Sequence, residues 1–146
     1  MHIEVDQSGK IEQMNSDSYI AFSNDEQYCI KLPKKIKQEI SLTFRSKTRQ
    51  LIQKVFAICI YHCLIGYLDN KKLIVLDREY EGWESFIKRE LVELIKIKYP
   101  NFDRNIIVFD KITKNSKAHK LALRSYRGEE KPNKILNAGD ITKWLK

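Results

Sequence analysis

The chain has 146 residues, with 27 Lys and Arg against 19 Asp and Glu, for a formal net charge of +8. That length suits one domain able to bury about two-thirds of its unfolded surface. A 42% hydrophobic content with only five Gly and three Pro excludes disordered, collagen-like and linker chains. The positive excess favours a polyanionic partner without choosing between nucleic acid, acidic protein and an anionic membrane.

The opening Met1-His2-Ile3-Glu4-Val5-Asp6 lacks the basic flank and apolar run of a secretory leader, so a cytoplasmic protein is expected. His2–Asp6 alternates and stops at the turn-forming Gln7-Ser8-Gly9-Lys10, which predicts a first strand. Ser18–Ser23 and Gln27–Leu32, separated by Asn24-Asp25, complete a three-stranded antiparallel meander. Pro33 suits the first turn of a helix, and a helical pattern then runs from Lys34 to Leu68, with Ile36, Ile40 and Phe44 on one face. That stretch is long for one helix, so a break is expected near Ser41–Lys47.

Within it, Val55–Leu68 is apolar for 14 residues, short of the about 20 a membrane span needs, so a core helix is expected and no membrane. Cys59, His62 and Cys63 lie in this run. Their spacing admits a metal site, but apolar surroundings make buried small side chains the stronger expectation. With Cys29 the cysteine count is odd, which argues against a disulfide framework.

Leu73–Leu76 and Ile106–Phe109 are wholly apolar, as in strands buried on both faces. The helix expected between them, Glu84–Tyr99, stops at Pro100, and the unit should form a right-handed parallel crossover. Ser116 should cap a helix reaching Arg127. A short strand near Ile135-Leu136 and a helical turn over Asp140–Lys146 finish the chain. The order β-β-β-α-β-α-β-α predicts a single α/β domain, residues 1–146, with a central mixed sheet covered by helices on both faces.

Charge is unevenly distributed. Residues 1–28 carry six acidic residues against one basic, net −5. Residues 31–54 carry eight basic against one acidic (+7), and residues 111–134 carry eight basic against two acidic (+6). Two basic segments in a small chain favour a polyanion-binding surface over two merely solvated helix faces.

Asp6 ends the first strand and Asp77 ends the first buried parallel strand. Functional groups of open α/β sheets gather beyond the carboxyl ends of strands. If those strands are neighbours, the two carboxylates meet, and close carboxylates call for a divalent cation such as Mg²⁺ or Mn²⁺. Turn and capping roles for Asp6 and Asp77 are the plainer alternative. Glu79 is a spare carboxylate nearby, and Asp110, ending the next strand, needs only a turn role.

Val5-Asp6-Gln7-Ser8-Gly9, followed by a strand, then a helix, then Leu76-Asp77, resembles the ribonuclease H-like superfamily of ribonucleases H, RuvC-type resolvases, transposases and Piwi nucleases. The resemblance covers most of the chain and implies a three-layer fold around a five-stranded mixed sheet. It also implies a Mg²⁺- or Mn²⁺-dependent nuclease acting on structured DNA or RNA, and it leaves homodimerisation, as in junction resolvases, open. Asp6 and Asp77 would be the strand ligands and Glu39, the lone acidic residue of its segment, the helix carboxylate, with Glu79 as its substitute. His119 would be the final ligand and catalytic group, with Asp140 competing. In the basic segment Lys114, Lys117, Lys120, Arg124 and Arg127 would hold phosphates beside Tyr126, and Trp83 would stack on a base or pack in the core. A non-catalytic nucleic-acid-binding module and a basic interaction subunit are the other readings of the same residues.

Overall fold

The N-terminal alternation builds a meander in the computed structural model, which describes residues 2–68 and 72–145. Strands β1 (His2–Ser8), β2 (Ser18–Ser23) and β3 (Gln27–Leu32) pair antiparallel, with Asp6 opposite Ala21 and Ala21 opposite Cys29. The apolar runs form β4 (Leu73–Asp77) and β5 (Ile107–Asp110). β4 lies parallel to β1, with Val5 opposite Leu76, and β5 lies parallel to β4, with Asp77 opposite Asp110. Helix α3 (Glu84–Lys98) and a 3-10 turn at Arg104–Ile106 make the crossover between them.

The sheet has six strands, not five, in the order β5-β4-β1-β2-β3-β6. The sixth, β6 (Lys134–Ile135), adds parallel to β3. Asn133 fixes it, its Oδ1 accepting the Cys29 N–H at 2.8 Å while its own N–H donates to the Cys29 carbonyl at 2.8 Å. Those bonds satisfy part of an edge that would otherwise be open.

The long helical pattern breaks in two, as α1 (Lys34–Phe44) and α2 (Leu51–Leu64). The break falls over residues 45–50, a little later than expected, and Gln50 there takes a left-handed φ of 52°. Pro33 sits one position before the first helical turn, and Asp17 Oδ1 accepts the Lys34 N–H at 2.8 Å from across the β1–β2 connection. On α1 the buried residues are Ile40 and, unusually for its type, Lys37. The Lys37 ammonium donates to the carbonyls of Lys10 (3.3 Å) and Gln13 (2.7 Å) and to Ser18 Oγ (2.9 Å). Three donors meet three acceptors, which is what makes a buried lysine tolerable.

α2 is apolar around most of its circumference because it lies between the sheet and α3. Cys29, Cys59 and Cys63 are buried and free. His62 Nε2 lies 2.9 Å from the Asp140 carbonyl, so the Cys/His run serves packing. Among the described residues no helix is long and apolar enough to cross a membrane.

The two sheet faces divide by strand alternation. Ile20, Phe22 and Ile30 face the main core with α1, α2 and α3, while Tyr19, Ala21 and Cys29 meet Leu121 and Ala122 of helix α4 (Lys117–Tyr126). Ser116 caps α4, accepting the Ala118 N–H at 3.1 Å. A short α5 (Ala138–Thr142) closes the chain.

Candidate metal and substrate cleft

Parallel pairing of β1 with β4 brings their carboxyl ends to one edge of the sheet. Asp6, 5% exposed, points to the face that α4 covers. Its Oδ1 accepts the Gln7 N–H at 2.8 Å, and its Oδ2 lies 2.8 Å from His119 Nδ1 in the first turns of α4. Asp77 Oδ1 accepts the Ile112 N–H at 2.8 Å from the β5–α4 loop. Glu79 follows on the β4–α3 loop, and Asp6, Asp77 and Glu79 each present an oxygen within 4.8 Å of the other two.

Gly9, directly after β1, has φ +78°, and a Cβ there would lie 2.1 Å from the Asp17 carbonyl and 2.9 Å from the Tyr126 ring. Only glycine lets the chain turn away this sharply after placing Asp6.

Crowding shows in the electrostatics. Burial, opposed by the His119 hydrogen bond and reinforced by Asp77, pushes the Asp6 carboxyl up to about 6. Burial and then Asp77 raise Glu79 to about 7. Close carboxylates that resist ionisation gain most from a proton or a cation between them. Gln7, 6% exposed, alternates to the opposite face of β1 from Asp6: its Nε2 reaches the Tyr80 hydroxyl at 3.4 Å, and its buried Oε1 has no partner. Three carboxylates are a donor set that suits a hard divalent cation, so Asp6, Asp77 and Glu79 could hold a metal ion, with His119 Nδ1 set against Asp6.

The cluster opens into a cleft of about 650 Å³, whose wall includes Arg78, Lys111, Thr113, Lys114 and His119. Of the expected site residues, the structure therefore gathers Asp6, Asp77, Glu79, His119 and Lys114. Glu39 stands apart and is corrected: it is exposed on α1, outside both the cleft and the cluster. The helix turns Lys37 and Ile40 inward, which leaves position 39 to solvent. Asp140 is also corrected, because it caps α5 in a reciprocal pair with Asn137. Asp110 accepts the Lys111 N–H and stays out of the cluster.

The expected phosphate-holding residues do not form one group. Lys117, Lys120 and Arg124 line a second groove on the other flank of α4, and Arg127 is exposed at its C-terminal end. Trp83 is 36% exposed and meets Phe86 edge-on, outside the cleft, so neither base stacking in the cleft nor core packing describes it. Tyr126 packs edge-on against Tyr19 and over Gly9.

Sequence reasoning missed the relay that supports the site. Tyr80 donates its hydroxyl proton to Glu12 Oε1 at 2.9 Å and accepts from Gln7, which ties the Glu79 loop to β1 and to the β1–β2 connection. Its only sequence signal is adjacency, Gln7 beside Asp6 and Tyr80 beside Glu79. No protein-family model, no curated protein and no solved structure matches the chain.

Proposed function

We propose that the protein is a divalent-metal-dependent nuclease with a ribonuclease H-like fold, hydrolysing phosphodiester bonds of structured DNA or RNA. The observation that carries this reading is the convergence of Asp6, Asp77 and Glu79 within 4.8 Å, with His119 on Asp6, at the carboxyl ends of two adjacent parallel strands. The strand order β5-β4-β1-β2-β3 supports the fold assignment.

Asp6, Asp77 and Glu79 would hold Mg²⁺ or Mn²⁺, with His119 behind Asp6. A bound cation of this kind polarises a phosphoryl oxygen and makes water a nucleophile near neutral pH. The protein's own groups do the rest. With Asp6 ionised, the His119 Nδ1–H would donate to its Oδ2, 2.8 Å away, and orient that carboxylate. Lys111 and Lys114 on the cleft wall attract the phosphate.

The test is cleavage of a panel of duplex, single strand, RNA–DNA hybrid and four-way junction with Mn²⁺. Wild type should cut at least one substrate. Asp77→Asn should cut it slower by about 10²-fold or more, the rate equivalent of losing several kcal/mol of charge stabilisation. Equal rates would overturn the assignment. Salt-sensitive binding without cleavage, unchanged in Asp6→Asn, would establish the binding module instead.

A further inference from the structure

Helix α4 separates two charged depressions. On one flank His119 reaches Asp6 in the carboxylate cleft. On the other, Lys117, Lys120 and Arg124 line a groove of about 440 Å³ whose far wall is the β2–β3 turn, Asn24, Asp25 and Glu26. The buried face of α4 is Ala118, Leu121, Ala122 and Ser125, so its outward face passes through Lys120, Leu123 and Arg127. No acidic residue lies between Lys111 and Arg127. Lys117 and Lys120 have no ion-pair partner among the described residues, whereas Arg124 is 3.6 Å from Glu130.

We propose that one single strand of nucleic acid crosses the exposed top of α4, with one phosphate in the carboxylate cleft and its neighbours along Lys117 and Lys120. This rests on the nuclease reading and narrows its substrate from structured nucleic acid in general to unpaired segments. A helix with its side chains is about 10–12 Å across. An unpaired strand advances by at least the about 3.4 Å per nucleotide of a duplex strand, so the crossing takes at most about three nucleotides. The second groove therefore engages phosphates beyond the scissile one and plays no part in holding a dinucleotide.

The groove's asymmetry selects the single strand. Its α4 wall is cationic, and its opposite wall carries Asp25, 4.0 Å from Lys72, and the exposed Glu26. One line of phosphates fits against the lysines. The second backbone of a duplex would face carboxylates, which repel it, whereas the amino groups of unpaired bases find acceptors there.

The test is fluorescence anisotropy with a labelled twelve-nucleotide single strand, its duplex and a dinucleotide, in Ca²⁺ or EDTA. Wild type should bind the single strand more tightly than the duplex. Lys117→Gln/Lys120→Gln should lower the salt slope by about 1.4 and single-strand affinity about 25-fold at 0.1 M salt, the worth of two phosphate contacts. The dinucleotide should bind wild type and variant alike, and Mn²⁺-induced thermal stabilisation should persist. Asp25→Asn/Glu26→Gln should narrow the preference for single strand.

A variant that binds the twelve-mer like wild type, or a wild type that prefers duplex, would overturn this inference while leaving the nuclease reading intact. Wild type that binds no nucleic acid at any salt would instead overturn the nuclease reading, and the acidic-protein reading of the basic face would replace both.

Discussion

Neutralising Asp6 should stabilise the metal-free protein at neutral pH. Asp6 is 5% exposed, has Asp77 and Glu79 close by, and holds its proton up to about pH 6 against 3.8 for an ordinary aspartate. Between those values the folded state binds more protons than the unfolded one, so stability falls as pH rises. Two pK units correspond to on the order of 3 kcal/mol, complete above pH 6. For a chain of this length that is roughly 6–12 °C in Tm. In EDTA, the Tm of wild type should drop between pH 4 and pH 7 relative to Asp6→Asn, whose amide keeps an acceptor for His119 but cannot ionise.

Mn²⁺ should then reverse the ranking. At about a hundredfold excess over Kd it returns about 2.7 kcal/mol to wild type, and Asp6→Asn should gain much less. Differential scanning calorimetry at pH 5 and 7.5, with EDTA or Mn²⁺, reads all four combinations. A pH-independent difference between the two proteins in EDTA would refute the crowded-carboxylate argument. An equal Mn²⁺ gain in both would refute Asp6 as a ligand.

Three further outcomes are expected. Lys37→Met should cost about 2–4 kcal/mol in urea unfolding at pH 7, because two carbonyls and the Ser18 hydroxyl lose their donor in a buried place. Burial holds Lys37 at about 8, below the usual 10.5, so the unfolded chain alone keeps that proton between those values. Wild-type stability should therefore rise relative to Lys37→Met from pH 8 to 10.5, and a flat difference would contradict the burial of an ammonium. Gly9→Ala should destabilise by at least about 2 kcal/mol, since it adds left-handed strain to a backbone clash; a loss below 0.5 kcal/mol would show that the turn relaxes freely. A thiol reagent should find no fast-reacting cysteine in the native protein and three in guanidinium, because burial raises Cys29 to about 11 and Cys59 and Cys63 well above the usual thiol range.

The residues legible in the sequence were those fixed by short-range periodicity. Asp6 and Asp77 stand at the ends of strands whose alternation or apolar density is unmistakable, and Ser116 announces the start of α4 three residues before His119. Glu39 misled because a helix position says nothing of direction until the buried stripe is known, and that stripe contains a lysine. Lysines are almost never fully buried unless paired, so Lys37 reads as surface until the Lys10 and Gln13 carbonyls come into view. The Gln7–Tyr80–Glu12 relay joins residues 73 and 68 positions apart, beyond any local pattern. β6 lies one residue earlier than the expected Ile135-Leu136, but at two residues it carries no pattern that names its partner, and it owes its pairing with β3 to Asn133. The break before α2 has no Gly or Pro to mark it.

Lys37 also bears on how the molecule opens. Its three bonds, with Gln38 Nε2 on the Met14 carbonyl at 2.8 Å and Asp17 capping Lys34, bind residues 10–18 to the first turns of α1. Glu12 in that same segment anchors Tyr80, and Tyr80 is the residue after Glu79. These bonds link the β1–β2 connection, α1 and the Glu79 loop, which should therefore open together and before the central strands. Their slow-exchanging amides should open with a common free energy below that of β1 and β2. Opening of that unit should release Glu79 from the carboxylate cleft, so a variant that loosens α1, a helix that contributes no residue to the cleft, should weaken metal binding there.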